Sequence, residues 1–324
     1  MSRSAGRGHG RCRTGCAVAL ALSVAVLCGP VQAFAQDLSH IPAAFVDVGT
    51  GAREMAMGGA AIVSSSGAPA VFWNPAGLAA TEAATELYVT YGDQMGLVPY
   101  SAASGVKRVG KRYSVGVGVI YSGDEVLSEM TGLLCAAGNF QGVPWMPEGT
   151  VLAGAAVRAR WASFGNNPGS DARVTGSALG AAVDAGVIVP LSASARFGVA
   201  GRDLVGILNW DSSSSGSYEE GVPPALVFGV AVELAESALV EVDLDKALRL
   251  DGRDLVSVGG EVEMFGVAAL RAGYRVALAP HEYEEFSLGG GASVTTSRSE
   301  ITLDVAYVFG KLADTLRLGV RFAF

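Results

Sequence analysis

Residues 315–324 close the chain with the sequence TLRLGVRFAF, in which apolar side chains alternate with polar or small ones. One side holds Leu316, Leu318, Val320, Phe322 and Phe324, and the other holds Thr315, Arg317, Gly319, Arg321 and Ala323. Successive side chains of a β-strand point to opposite faces. The stretch therefore predicts a strand with one wholly apolar face and one face that carries two cations.

The same alternation recurs from about residue 85 onward, for example in EITLDVAYVF at 300–309, whereas helical periodicity is scarce. It predicts fourteen strands. They lie near 85–92, 97–107, 111–121, 131–140, 150–163, 174–189, 193–203, 225–235, 238–247, 254–264, 267–277, 285–296, 298–309 and 314–324.

Two architectures fit such strands. In a soluble sandwich the apolar face is the core and the charged face meets water. In a membrane barrel the apolar face meets lipid and the polar face lines the lumen. Alternation alone does not separate these two interpretations.

Strand length and loop length favour the barrel. Many stretches reach ten residues or more, which suits a tilted crossing of a bilayer, and fourteen is an even number. Most connections of one set are short, at 108–110, 141–149, 190–192, 236–237, 265–266 and 297, and the other set includes 122–130, 164–173 and 204–224. We predict an all-β fold, a transmembrane antiparallel barrel of about 14 strands with its short turns in the periplasm.

The N-terminus has the features of an export signal. Four arginines precede an apolar run at 17–28 and a small-residue triplet at 33–35, which is typical of a secretory signal peptide cut before Gln36. The 23 Lys and Arg, less these four, leave 19 against 31 acids, a net charge of −12. This balance argues against a nucleic-acid partner. No apolar run after residue 35 approaches the roughly 20 residues of a membrane-spanning helix.

Nothing in the sequence favours catalysis. After residue 35 only His40 and His281 remain, and Cys135 is the single cysteine. The chain also lacks a nucleophile-elbow or phosphate-loop motif. We expect no enzyme activity, no catalytic residues, no metal and no cofactor.

Charged residues fall on the predicted polar faces of the strands near the C-terminus. We interpret them as lumen charges that pair between neighbouring strands, with a charged path for a solute as the alternative. The acids at 241–263 are expected beside Arg271 and Arg275, and Glu300 and Asp304 beside Arg317 and Arg321. They are Glu241, Asp243, Asp245, Glu261, Glu263, Arg271, Arg275, Glu300, Asp304, Arg317 and Arg321.

Residues 41–80 do not alternate and are rich in Gly, Ala and Ser. The strings GAREMAMGGA at 51–60 and AVFWNPAGL at 70–78 closely resemble the opening of PorV/PorQ-type outer-membrane proteins, which are similar to the FadL long-chain fatty-acid transporters. The resemblance implies a fourteen-stranded barrel whose N-terminal segment forms a hatch inside the lumen. The matching hatch residues are Arg53, Gly58, Gly59, Asn74, Pro75 and Gly77.

The resulting domain prediction is a signal peptide at 1–35, a hatch at 36–82 and a barrel at 83–324. We hypothesise that Arg53 and Glu54 pair with lumen charges. Phe322 and Phe324 end the last strand in a way that resembles the signal read by the barrel-assembly machinery. We expect the protein in the outer membrane, with lipid and, during biogenesis, that machinery as partners.

The resemblance implies two possible functions. FadL-like transporters take up hydrophobic ligands past the hatch and release them sideways through the wall, whereas PorV-type proteins serve type IX secretion. We expect the binding or movement of hydrophobic small molecules, with an accessory role beside secretion-system subunits as the alternative.

One outward segment carries an apolar patch. Ile207, Leu208 and Trp210 lie in the predicted loop 204–224, where an exposed patch could bind a hydrophobic ligand or the surface of a partner. Alternatively, this segment extends the neighbouring strand as a hairpin.

Overall fold

The computed structural model describes residues 49–94, 98–124, 126–143, 146–165, 174–248, 254–278, 283–311 and 314–324. The predicted signal peptide and residues 36–48 of the predicted hatch lie outside these ranges, so those assignments stay predictions. The first described elements are helices α1 (Ala52–Ala56) and α2 (Ala70–Trp73) and a 3₁₀-helix (Pro75–Ala80). In the described part of the chain, no helix is long and apolar enough to cross a membrane.

Fifteen strands follow the helices in the described ranges. They are β1 (Thr85–Gln94), β2 (Val98–Val109), β3 (Tyr113–Gly123), β4 (Leu127–Val143), β5 (Met146–Phe164), β6 (Gly176–Pro190), β7 (Ala195–Ser212), β8 (Gly216–Gly221), β9 (Ala225–Ala235), β10 (Ala238–Ala247), β11 (Leu255–Met264), β12 (Ala268–Ala277), β13 (Glu284–Thr295), β14 (Glu300–Gly310) and β15 (Thr315–Ala323). All fourteen predicted strands are present, and β8 is an addition.

The strands close into a fourteen-stranded antiparallel barrel. β1 pairs with both β2 and β15, so the first and last strands are joined. β7 pairs with β6 on one side and with β9 on the other. The short strand β8 pairs with β7 beyond the end of its pairing with β9. Closure leaves the barrel without an open edge, as a sheet in lipid requires.

The two faces of each strand separate as a membrane barrel demands. On β15, Leu316 and Leu318 are each 49% exposed, whereas Arg317 is only 3% exposed. On β1, Leu87, Val89 and Tyr91 are likewise exposed on the outer face. An apolar exterior around a polar interior is the reverse of a soluble sandwich, so the barrel interpretation is confirmed.

The barrel has two ends. We call the end where the chain ends at Phe324 and most turns are short the inner end, and the opposite one the outer end.

Two predicted connections differ from the structure. The turn predicted at 141–149 is wrong, because β4 and β5 continue toward each other until Val143 pairs with Met146. At 204–224 the alternative interpretation is confirmed in place of a loop, because β7 continues to Ser212 and forms a hairpin with β8.

The lipid-facing assignment predicts the effect of a charge on β15. Leu318→Arg places a cation on the outer face near the middle of the strand, which we expect to lower the free energy of unfolding by about 2–4 kcal/mol. Unfolding in phospholipid vesicles, followed by tryptophan fluorescence, measures it. Leu318→Ala is the control and should cost less, since it brings no charge into lipid. Equal costs for the two variants would contradict the assignment.

Candidate functional site

The segment before β1 lies inside the barrel and fills part of the lumen. We call residues 49–84 the hatch. Helix α1 contacts β12, β13, β14 and β15, and the 3₁₀-helix contacts β3, β4, β5 and β6 on another part of the wall. Apolar side chains of the hatch, among them Val71, Phe72 and Leu78, are buried against wall residues such as Leu133 and Cys135.

Local sequence explains the compact path of the hatch. Gly58 and Gly59 both have positive φ, at 67° and 76°, which other residues adopt only with strain. Asn74 precedes Pro75, the first residue of the 3₁₀-helix, and its side chain accepts from the Ala76 amide and donates to the Ile62 carbonyl. The predicted turn residues therefore hold the hatch in a defined shape.

Carboxylates on the wall bind the hatch backbone directly. Asp243 accepts hydrogen bonds from the amides of Ala61 at 2.8 Å and Ile62 at 3.1 Å. Glu241 accepts from the amides of Val63 at 2.7 Å and Ser64 at 3.0 Å. Both carboxylates are buried on β10. With four hydrogen bonds to consecutive amides, β10 is the main polar anchor of this stretch.

This finding corrects one prediction. Glu241 and Asp243 were expected to pair with Arg271 and Arg275, but β11 lies between β10 and β12. The two carboxylates instead receive backbone amides, and Arg202, from β7, is the cation that approaches Asp245, at 3.8 Å.

A chain of ion pairs holds α1 to the wall. Arg53 donates two hydrogen bonds to Glu261, at 2.7 and 3.0 Å. Glu261 also accepts from Arg271, its cross-strand neighbour, and Arg271 donates to Asp304 at 2.6 Å. Glu54 is buried and accepts from Ser65, and its burial raises the pKa of its carboxyl against the opposing effect of Arg53.

The remaining predicted lumen charges have varied surroundings. Arg321 contacts Glu300 at 3.4 Å, and Arg317 donates to the Gly49 carbonyl at 2.8 Å. Arg275 is buried and its guanidinium lies beside Gly59. Glu263 is exposed at the inner end.

Glycines on the lumen face let the hatch approach the wall. A Cβ atom on Gly273 would collide with the backbone of Met57 and Gly58, and one on Gly259 would collide with Met57. Gly289 similarly faces Ala56, and Gly154 faces Pro75. Of the β13 glycines, which the sequence placed within a strand, Gly289 thus marks a wall that the hatch touches, whereas Gly291 faces the side chains of Asp304 and Arg271.

On the outer side of the hatch, the wall is irregular. Three residues of β7, Arg202 to Leu204, face the single residue Asp184 of β6, and Asp203 adopts a φ of 51°. Asp184 accepts from the Asp203 amide at 2.8 Å and from Arg158 at 2.5 Å, and Arg160 donates to the Asp203 carboxylate at 2.9 Å. These hydrogen bonds hold the bulged backbone of β7 at Asp203 in a conformation that residues other than glycine adopt only with strain.

The opposite side of β7 is interrupted at the same height. Its ladder to β9 ends with Arg202 opposite Ala225, and its ladder to β8 begins with Ile207 opposite Gly221. Between β8 and β9 stand Val222, Pro223 and Pro224, and the prolines have no amide to donate. Residues 203–206 therefore lack a ladder partner on this side.

An apolar cluster lies at the outer end of the same wall sector, and we call it the mouth cluster. It comprises Ala162, Phe164, Ala178, Leu208, Trp210 and Val222. Trp210 lies 6.1 Å from the Phe164 ring and donates to Glu220 at 3.0 Å. Of the predicted patch, Leu208 and Trp210 belong to this cluster, whereas Ile207 is exposed on the opposite face of β7. All three lie in the part of β7 that pairs with β8, as the hairpin alternative predicted.

Several residues of this region were missed in the sequence. Arg158, Arg160 and Asp184 fall on the polar face of their alternating strands, so the period of two could have identified them as lumen residues. The position of Trp73 had no such signal. It donates to the Thr50 carbonyl, and the Arg202 guanidinium lies 5.5 Å from its ring.

Two polar cavities lie on the inner side of the hatch, with volumes of about 330 and 200 Å³. Arg53, Ser64, Glu261 and Glu263 line both. Among the described residues, no group of three or more His, Cys, Asp or Glu side chains is arranged to hold a metal ion.

The fold has several solved counterparts. No protein-family model and no curated protein matches the chain. The CymD monoaromatic hydrocarbon channel is similar in structure, with a TM-score of 0.63 and 18% identity over 87% of this chain and 99% of that one. The Pseudomonas putida toluene transporter TodX has a TM-score of 0.56 and 15% identity over 85% and 97%.

A Pseudomonas aeruginosa FadL homologue is also similar, with a TM-score of 0.59 and 11% identity over 85% of this chain and 98% of that one. At these identities the likeness establishes the shared barrel fold.

The close approach at Gly273 predicts that a single methyl group disturbs the hatch. Gly273→Ala should lower stability by about 1–3 kcal/mol, as overpacking does, and should loosen the hatch. Arg53 is the only basic residue in 49–84, so trypsin cleavage after it reports hatch exposure. Gly260→Ala is the matched control, because the nearest atom to its Cβ lies 3.8 Å away. Equal cleavage of both variants would rule out a tight contact.

Proposed function

We propose that this protein is an outer-membrane channel of the FadL-like type that moves hydrophobic small molecules from the outer end of the barrel into the membrane through its wall. The interruption of the β7 ladder, placed between the mouth cluster and the hatch, is the observation that carries the proposal. The named hydrocarbon and toluene channels of similar fold support this class of solute.

The mouth cluster supplies an apolar entrance. Its members belong to β5, β6 and β7 and to the segment after β8, and Phe164, Trp210 and Tyr218 form a row of aromatic rings. Apolar and aromatic linings of this kind are typical of sites for hydrophobic ligands. A molecule that binds there is already on the wall sector that contains the interruption.

The anchoring of the hatch makes passage past it costly. Moving residues 61–64 away from β10 would strand the buried carboxylates of Glu241 and Asp243. A buried polar group left without its partner costs about 1–3 kcal/mol, and more when it is charged. A hydrophobic solute offers no group that could replace these amides. We therefore place the exit of the solute before the hatch.

The interrupted wall offers that exit at small cost. The Val222 side chain lies over Gly206, 3.1 Å from a Cβ placed on that glycine, and no ladder hydrogen bond crosses this place. The neighbouring outer face is apolar, since Leu204 and Val205 are exposed, Val205 by 75%. Movement of Val222 would connect the lumen to lipid without breaking a backbone pair.

No feature of the described residues favours the alternative role in protein secretion. That role, the PorV/PorQ resemblance of the hatch and the assembly signal at Phe322 and Phe324 stay predictions from the sequence.

A reversible cross-link tests the exit. In the double variant Gly206→Cys and Val222→Cys, oxidation should join the two positions and reduce uptake of radiolabelled toluene by cells to the level of cells without the protein. Reduction should restore uptake. The control is Val199→Cys with Phe228→Cys, a pair in the continuous β7–β9 ladder, whose oxidation should leave uptake unchanged.

Two results would contradict the proposal in different ways. Full uptake after complete cross-linking at 206 and 222 would exclude this exit. Equal uptake of toluene and of fatty acids by cells with and without the wild-type protein would exclude the transport function itself.

A further inference from the structure

The turn between β2 and β3, at the inner end of the barrel, concentrates positive charge. We call its four cations the basic turn, and they are Lys107, Arg108, Lys111 and Arg112. All four residues are exposed. They stand in a chain whose formal net charge is −8, and the inner turn at 265–267 has no charged residue. The basic turn is therefore a local feature that does not follow from the overall composition.

The protein does not neutralise these cations in the part of the chain that the structure describes. Arg108 donates to the carbonyl of Glu82 at 2.6 Å, and among the described residues no ion pair involves any of the four. Across the two ladders, Lys107 faces Thr85 on β1 and Val115 on β3, neither of which is acidic. An exposed cluster of one sign attracts a partner of the opposite sign.

Hydrogen bonds from both sides give the turn a defined shape. Gly110, in the turn, has a φ of 68°. Asn139 of β4 donates its backbone amide to the Arg112 carbonyl at 2.9 Å and its side chain to the Lys111 carbonyl at 3.2 Å. On the other side, the Arg108 amide donates to the Ala84 carbonyl at 3.0 Å. The charges are thus held close together before a partner binds, which lowers the entropy that binding costs.

Outward-facing residues place the turn at the edge of the apolar belt. Tyr113, the first residue of β3, is 54% exposed and lies opposite Val109, and Phe140 on β4 is 40% exposed. Aromatic rings on the outside of a barrel mark its membrane interfaces. Lys107 shares the outward face of β2 with Val109, as the alternation requires. Its stem can therefore lie along apolar surface while its ammonium group reaches the lipid headgroups.

We propose that the basic turn is a binding site for an anionic phospholipid in the leaflet at the inner end of the barrel, with Lys107 and the neighbouring cations around its phosphate. The outward position of Lys107 favours lipid over a soluble anion, because the phosphates of a bilayer lie at the level that the aromatic rings mark. Each Lys or Arg near such a headgroup strengthens binding by roughly fivefold. A bound lipid would fix the depth of this hairpin in the membrane.

A fluorescent label beside the turn tests the site. Val115→Cys lies on the outward face, directly across the ladder from Lys107, and Cys135 is buried and does not compete for the label. The labelled protein is placed in phosphatidylcholine vesicles that contain a nitroxide-bearing quencher lipid, either phosphatidylglycerol or phosphatidylcholine. Phosphatidylglycerol should reach half-quenching at a mole fraction lower by roughly fivefold or more. High salt should reduce this difference, because the attraction is electrostatic.

Matched variants separate the charge of the turn from its fold. Replacing all four cations of the basic turn by Gln should remove the preference for phosphatidylglycerol, whereas Lys107→Arg with Lys111→Arg keeps the charge and should keep the preference. The control position for the label is Leu270→Cys. Leu270 is the third residue of β12, as Val115 is of β3, and is exposed on the outward face beside the uncharged turn at 265–267. Both lipids should quench equally there.

Three results would overturn the proposal. The first is equal quenching by the two lipids at position 115 of the folded protein, which would leave the turn to a soluble acidic partner. The second is the same preference at position 270, because the attraction would then belong to the whole barrel. The third is an unchanged preference in the variant with four Gln residues. The site is independent of the solute route, so toluene uptake by this variant should remain at the wild-type level.

Discussion

The structure depends on one constraint, which is that a hatch inside a closed barrel must find hydrogen-bond partners on side chains. The wall strands use their backbone groups to pair with each other, so they offer almost none to the hatch. A short segment with little helix leaves many amides unpaired. Glu241 and Asp243 on β10 accept hydrogen bonds from such amides, and Glu86 on β1 accepts one from the Ala68 amide. The main role of these buried wall acids is therefore to bind the backbone of the hatch.

The same constraint accounts for the glycines. Carboxylate side chains reach the hatch only if it runs close to the wall, and a close approach leaves no room for Cβ atoms. Gly273, Gly259 and Gly289 face α1 and the residues just after it, and Gly154 faces Pro75. Glycines at these positions would weaken an ordinary strand, because they provide no side chain to pack. In the closed barrel, the neighbouring strands on both sides hold the backbone in place.

The sequence predicted the barrel because its signal is local. Alternation along each strand shows which residues share a face, and it is independent of the partner strand. Partners of the lumen charges depend on strand order and on the hatch, which has no periodicity. For this reason Glu261 and Arg271 were placed together correctly, while Glu241 was assigned a cation on a strand that does not touch its own.

The interruption at β7 was hidden for a related reason. Gly206, Pro223 and Pro224 all fall within 204–224, and alternation along a strand does not show where its ladder to a neighbour stops. In the structure Gly206 lies on β7 and faces Val222, while Pro223 and Pro224 connect β8 to β9 and have no amide with which to extend a ladder. The positive φ of Asp203 follows from the bulge and its contact with Asp184, which join residues far apart in sequence.

The placement of polar and apolar groups sets which kind of molecule each side of the hatch accepts. The mouth cluster offers Ala, Leu, Phe and Trp side chains, so an ion there would lose water without gaining a partner. The inner cavity offers charges that already pair with each other, and an apolar molecule there would displace their water without replacing its hydrogen bonds. Each sector therefore disfavours the kind of molecule that suits the other. Because the proposed exit at β7 lies on the outer side of the hatch, the hatch can keep its bonds to β10 while a hydrophobic molecule leaves through the wall.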